Sequence, residues 1–262
     1  QFQVGAKYLI DFPAEVPIAS MRKIAGQARV QPATLVRLAQ YLGFDGWEPL
    51  KEVFVQSFRQ TPKLYTMQAK KVVRSKNPRT MVGKTLASQA RNLALLDELN
   101  GERLPGAVDL LLKARRVHVA GFRSCFAPAF AFHYLYRLFR PSVLMLRGDA
   151  GTLEMEVRAL EAADTVVVIS FAPYSQEALQ VAQAAHKAGC KLLAICDSVL
   201  APIAHEADGV LLFSTETPSF FPSVAAAQAL IEVLIEQLMV KSGKQAVSEI
   251  ELAETQLHQT GA

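Results

Sequence analysis

Five short apolar runs in the second half of the chain, with helical stretches between them, constrain the fold more than any other feature. They are Val117–Ala120, Val143–Leu146, Thr165–Ile169, Lys191–Ile195 and Gly209–Phe213. Runs of this length alternating with helices indicate βαβ units, hence a parallel sheet of five strands with helices on its faces. The apolar segment Val224–Met239 has helical spacing and supplies the last covering helix, and residues 243–262 read as a polar, helix-compatible tail. Ahead of the sheet, residues 19–58 read as short helices with tight connections, and residues 63–102 as longer basic helices broken at Asn77-Pro78. The expected fold class is therefore α/β: an all-α N-terminal domain followed by a doubly wound five-stranded parallel sheet.

The net charge of +4 conceals two opposed regions. Residues 1–116 hold 19 Lys and Arg against 9 Asp and Glu, whereas residues 117–262 hold 9 against 15, so the front carries +10 and the back −6. Such asymmetry points the front half at a polyanion. The cysteines, Cys125, Cys190 and Cys196, are odd in number and lack a metal-type spacing. That pattern fits a reducing cytoplasmic setting and no disulfide frame. No apolar run of membrane-spanning length occurs in these residues, and they contain no basic start followed by an apolar stretch and cleavage site, so no membrane partner is expected. The start at Gln1 reads as a fragment lacking its own N-terminus.

Residues 21–40 read as two helices around a tight turn. Small Ala25 permits close crossing, and Val30, Leu35 and Leu38 form the wedge that sets the angle of a helix-turn-helix. Pro32 suits the first position of the second helix, where its missing N–H costs nothing. With Leu35, Leu38, Ala39 and Leu42 turned inward, Ala33, Thr34, Arg37 and Gln40 face outward, short polar or basic groups able to enter a major groove. An ordinary helical hairpin with a solvated polar face satisfies the same spacing. Lys70, Lys71, Arg74, Lys76, Arg79 and Lys84 form a second basic cluster, read either as a solvated face or as auxiliary phosphate contacts.

In the sheet region, the first and third strands run into Gly121-Phe-Arg-Ser-Cys125 and Ser170-Phe-Ala-Pro-Tyr-Ser175, each followed by a helix. Open parallel sheets bind ligands at the carboxyl ends of their strands, and helix N-termini there offer free N–H groups to an anion. Ser124, Ser170 and Ser175 could add hydrogen bonds to phosphate or carboxylate oxygens, or could simply cap their helices.

Two stretches resemble one family. Ala33-Thr-Leu-Val-Arg37 followed by Leu42-Gly-Phe-Asp-Gly-Trp47 is similar to the "aTvvRfaxxLGfxGf" string of the RpiR family of transcriptional regulators, with departures at Arg29, where the turn usually carries glycine, and at Gln31, where serine caps the helix. Residues 107–240 resemble the sugar-isomerase (SIS) domain that follows this helix-turn-helix in the family. Gly121–Cys125 stands for "GxGxS", Ser170–Ser175 for "SxSGxT", and Ala194–Ser198 with Ala201–Asp208 for "iTdsxxSPla..AD". Arg123, Cys125, Ala172 and Pro173 replace a glycine, two serines and a glycine of that pattern.

The resemblance implies a regulator that binds a double-stranded DNA operator through Pro32, Ala33, Thr34 and Arg37, and senses a phosphosugar or sugar acid. The implied effector contacts are Arg123, Ser124, Cys125, Ser170, Phe171, Tyr174 and Ser175, with Glu216 reaching the same pocket from the loop after the last strand. Arg123 could bind the anion with paired hydrogen bonds or form an ion pair with an acid such as Glu216; Tyr174 could contact the ligand or only pack. The expected division is a helix-turn-helix domain at 1–62, a basic helical connector at 63–105, the SIS domain at 106–242 and the tail at 243–262. A homodimer or homotetramer is expected, with no metal, cofactor or catalytic residue. Two alternatives stay open: a phosphosugar isomerase, for which Glu177, His205, Glu206 and Glu216 are the candidate bases, and a DNA-binding protein whose second domain only oligomerises.

Overall fold

The computed structural model describes residues 1–12, 16, 19–74 and 78–259. The chain divides into two compact units, residues 1–78 with Ser219–Phe221, and residues 79–218 with 222–262.

The first unit is all-helical: α1 (Phe2–Asp11), α2 (Met21–Gln27), α3 (Pro32–Tyr41) and α4 (Trp47–Val73). Tyr8 and Leu9 of α1, Ile24 and Ala25 of α2, Leu35, Leu38 and Ala39 of α3, and Trp47 and Leu50 of α4 share one apolar core. The inward positions follow the helical period, so each short helix is stabilised by the face it buries and not by its own length. Leu42, expected inward, is 52% exposed. α3 ends at Tyr41, and the chain reverses through Gly43 at φ +88°, which turns Leu42 out of the helical register. α4 runs unbroken through residue 62, and Lys76 and Asn77 lie outside the described residues.

The second unit carries α5 (Pro78–Asn100), α6 (Leu104–Lys113), β1 (Val117–Gly121), α7 (Phe126–Arg137), β2 (Val143–Leu146), α8 (Leu153–Arg158), β3 (Thr165–Ile169), α9 (Gln176–Lys187), β4 (Lys191–Cys196), β5 (Gly209–Leu212), α10 (Ala225–Ser242) and α11 (Lys244–Gln259). The five expected strands form, each within one residue at its end. They make one all-parallel sheet in the order β2-β1-β3-β4-β5. Ala120, Leu146, Val166, Val168, Leu192, Ala194 and Cys196 point to one face and pack with α8 and α9. The alternate residues point to the other, so both faces are covered, which is why the strands are apolar apart from His118, Thr165 and Lys191 near their N-terminal ends. The strand order reverses direction between β1 and β3, and the clefts of open sheets form at such a switch point.

α5 does more than connect. Asn100 is fully buried; its Nδ2 donates to Leu212 O at 2.8 Å and its Oδ1 accepts from Leu212 N at 2.7 Å. One side-chain amide thus pairs the edge strand β5 as a further strand would. Asn92 and Ser88, on the same helix, both donate to Glu216 O, at 2.8 and 3.0 Å. At the opposite, N-terminal edge of the sheet, Asp164 is fully buried and accepts from Arg116 Nε at 3.0 Å and Nη2 at 2.6 Å, and lies 3.2 Å from His118 Nε2.

Candidate functional site

The helix-turn-helix is built from two helix ends. Ser20 Oγ caps α2 by accepting from Lys23 N at 3.3 Å. α2 stops in a Schellman turn: Val30 N donates to Ala25 O at 2.9 Å and Arg29 N to Gly26 O at 3.2 Å, with Arg29 at φ +55°. That left-handed position explains why the family pattern carries glycine there; a side chain at this φ costs roughly 1–2 kcal/mol. Gln31 makes no side-chain cap, and Pro32 opens α3. Val30, Leu35 and Leu38 are buried in the wedge, and Ala25 is 1% exposed where α2 and α3 cross. Ala33, Arg37 and Gln40 are exposed, and Pro32 and Thr34 are half-buried beside them. The four expected DNA contacts therefore lie on the first two turns of one helix, at the end that enters a groove in such motifs. Of the second basic cluster, Lys70, Lys71 and Arg74 are exposed at the end of α4, and Arg79 and Lys84 are exposed on α5.

In the second unit, the loops at 121–125 and 170–175 leave adjacent strands at the same level, since Gly121 pairs with Ile169. Gly121 has to be glycine: a Cβ there would sit 2.4 Å from Cys125 O and 2.6 Å from the Ala129 Cβ. The chain then turns through Arg123 at φ +56°, again at a position where the family has glycine. This projects an exposed guanidinium from the mouth of the loop, and no ion pair holds it among the described residues. Ser124 is half-exposed beside it; Cys125 is buried, and burial first, then the charge of Asp197, pushes its thiol up to about 12. Cys125 therefore stays a neutral thiol and serves as wall.

The second loop is occupied by its own contacts. Ser175 Oγ accepts from Ala178 N at 3.2 Å, so this serine caps α9. Phe171 is 6% exposed and meets Phe213 edge to face at 6.4 Å. Ala172-Pro173 is a cis peptide. Tyr174 donates its hydroxyl to Asp197 Oδ1 at 2.7 Å, and Ala172 N donates to Asp197 Oδ2 at 3.2 Å. Burial and then the neighbouring Asp197 raise the Tyr174 hydroxyl above its ordinary range, so it remains a donor. Ser170 is buried at the end of β3. At the head of α9, Glu177 keeps Oε2 buried without a hydrogen-bond partner.

Glu216 does not join these loops. It follows β5, two strands from β3, and its exposed side chain lines a shallow cleft of about 510 Å³ with Lys84, Arg91 and Leu95 of α5. No residue of the β1 or β3 loop lines that cleft. Placement at the C-terminal edge of the sheet follows from the topology, but the ends of β5 and β3 are separated by β4. His205, one of the candidate bases, lies in a turn.

Sequence reasoning missed Asp197. The signal was available, because it directly follows β4 and stands at the same carboxyl edge that selected the other two loops. Among the described residues, no group that could hold a metal ion is found, and no helix is long and apolar enough to cross a membrane.

Known proteins agree with this architecture. The SIS domain family matches residues 110–240. The HTH-type transcriptional regulator YfhH of Escherichia coli is 26% identical over 194 residues, 72% of this chain and 68% of the relative. Among solved structures, the sugar isomerase domain of an RpiR transcription factor from Sphaerobacter thermophilus superposes with a TM-score of 0.64 at 20% identity, covering 67% of this chain and 98% of that one. The Vibrio vulnificus NanR protein, solved in complex with ManNAc-6P, superposes with a TM-score of 0.60 at 17% identity over 100% of this chain and 94% of its own.

Proposed function

The chain belongs to the SIS-domain family and within it resembles the helix-turn-helix regulators of RpiR type, and on that premise we propose that it binds operator DNA under the control of a small metabolite, a phosphorylated sugar or a sugar acid. One observation carries the reading. The same chain joins a helix-turn-helix that exposes Ala33 and Arg37 to a parallel sheet whose β1 and β3 loops flank the switch point, with an unpaired guanidinium at the mouth. NanR, which shares the whole fold, holds ManNAc-6P, and a ligand of that class suits Arg123.

The SIS unit acts as sensor and not as catalyst. Aldose–ketose chemistry needs a base near neutrality beside the sugar carbon. The His118–Asp164 pair lies at the N-terminal edge of the sheet, away from the loops, and the His186–Glu206 pair is exposed at the surface. Two copies associate through their SIS units and present two recognition helices to a palindromic site, in the cytoplasm where that DNA resides. Effector shifts the arrangement only if it binds the two arrangements unequally.

The test is selection of an operator from genomic fragments, followed by fluorescence anisotropy. Arg37→Ala should weaken operator binding by about 1–3 kcal/mol, and the effector, found by thermal shift, should change operator affinity. Unchanged binding on Arg37→Ala removes that residue from the interface. An effector that never alters DNA affinity favours a SIS unit that only oligomerises, and turnover of an aldose phosphate overturns the sensor reading.

A further inference from the structure

One face of α5 is anchored and the face opposite is apolar and uncovered. Ser88 and Asn92 are buried against the backbone of Glu216. On the far side Val82 is 59%, Leu86 60% and Leu93 43% exposed. Their spacings of four and seven residues place all three on one stripe. Gly83, Ala90 and Ala94 lie exposed beside them, and a Cβ on Gly83 would meet nothing within 4 Å. Single apolar residues at a surface are ordinary, but a continuous stripe over three turns of one helix marks an association surface.

The charges at its ends identify the occupant. Arg79 lies in the first turn of α5 and Asp97 in the last, about five turns apart and so on one line down the middle of the stripe. Both are exposed, and neither forms an ion pair among the described residues. Each also stands at the wrong end for its own helix, whose dipole favours an anion at the N-terminus and a cation at the C-terminus. An antiparallel copy of the same helix, centred at the level of residue 88, reverses that order. It sets Arg79 level with the partner's Asp97 at both ends of the pair, each charge beside the dipole end that favours it. It also sets Leu86 level with the partner's Ala90 and Leu93 level with the partner's Gly83, so that each large side chain shares its layer with a small residue. A parallel copy would set arginine against arginine.

We propose that the exposed face of α5 is the surface on which a second copy of this chain docks, as an antiparallel twofold pair of α5 helices held in register by Arg79 and Asp97. This rests on the reading that two copies associate through their SIS units, and it assigns the surface and the register. The apolar stripe supplies the water-excluding contact, and the charges select antiparallel over parallel pairing.

The test is the dimer dissociation constant of the full chain, measured by analytical ultracentrifugation at low ionic strength, with circular dichroism to check that each variant keeps its helix content. Leu86→Glu buries a carboxylate in each of two equivalent layers and should weaken the dimer by about a hundredfold or more. Arg79→Asp and Asp97→Arg each set like charges level at both ends and should each weaken it by about tenfold. Combined in one chain, the two reversals should return affinity to within about threefold of the parent, a rescue that no structural role of either residue alone would give. Weakening that adds up in the double variant overturns the proposal. A dimer that survives Leu86→Glu overturns the α5 pair and leaves association through another part of the SIS unit standing. A parent chain that sediments as a monomer overturns both, and gives the stripe to a different partner.

Discussion

At the residue scale, the two arginines that replace family glycines share a backbone state. Arg29 ends α2 at φ +55° and Arg123 leaves β1 at φ +56°. Each carries a side chain in the left-handed region, and each is exposed where an anion is expected, the DNA backbone for one and the effector for the other. Strain held at a functional position is consistent with a return in binding. Arg29→Gly should therefore raise stability by up to about 1 kcal/mol, a shift of a few degrees in thermal unfolding. The same variant should weaken DNA binding and lower the salt dependence by about one phosphate contact. A lower melting temperature would show that the Arg29 side chain stabilises the turn by contacts beyond its backbone conformation.

At the element scale, α5 completes the sheet. Asn100 satisfies both backbone groups of Leu212 on an edge strand with no further strand beside it among the described residues, and Ser88 and Asn92 secure the loop that follows. Asn100→Ala would strand a buried N–H and a buried C=O, which costs about 2–4 kcal/mol. Chemical denaturation of the full chain measures it, and a loss below about 0.5 kcal/mol would mean that water replaces the amide. The connector expected at 63–105 contains this structural helix because helical periodicity reports which face is apolar and not which distant backbone a buried Asn meets. A polar set at 88, 92 and 100 on one helix face was the available clue.

At the scale of the whole molecule, the cluster at the N-terminal edge of the sheet makes stability depend on pH. Burial, opposed by Asp164, lowers His118 below its ordinary value near 6.5. Asp164 is also lowered, because its bonds to Arg116 and the Glu161 N–H outweigh the burial that would raise it. Both signs agree: the unfolded chain binds protons that the folded chain refuses, so stability is complete above about pH 7 and declines as pH falls through the His118 and then the Asp164 range. Urea unfolding at about pH 8 and about pH 5.5 should show lower stability in acid, and His118→Gln, which keeps a donor for Asp164, should flatten that difference. An equal pH dependence in the variant would assign the acid sensitivity to other groups.

The sequence by itself determined the five strands, their parallel pairing, the helix-turn-helix wedge and the loops at the carboxyl edge. These follow from local periodicity, from glycine and proline placed at turns, and from the rule that connects parallel strands through helices. Only the tertiary structure decided that Leu42 faces solvent, that Ser175 caps a helix, that Asn100 closes the sheet, that Glu216 stands apart and that Asp197 occupies the third loop. Each of those depends on which polar group meets which partner across tens of residues, and a buried donor or acceptor is satisfied by whatever the folded chain brings within hydrogen-bond reach.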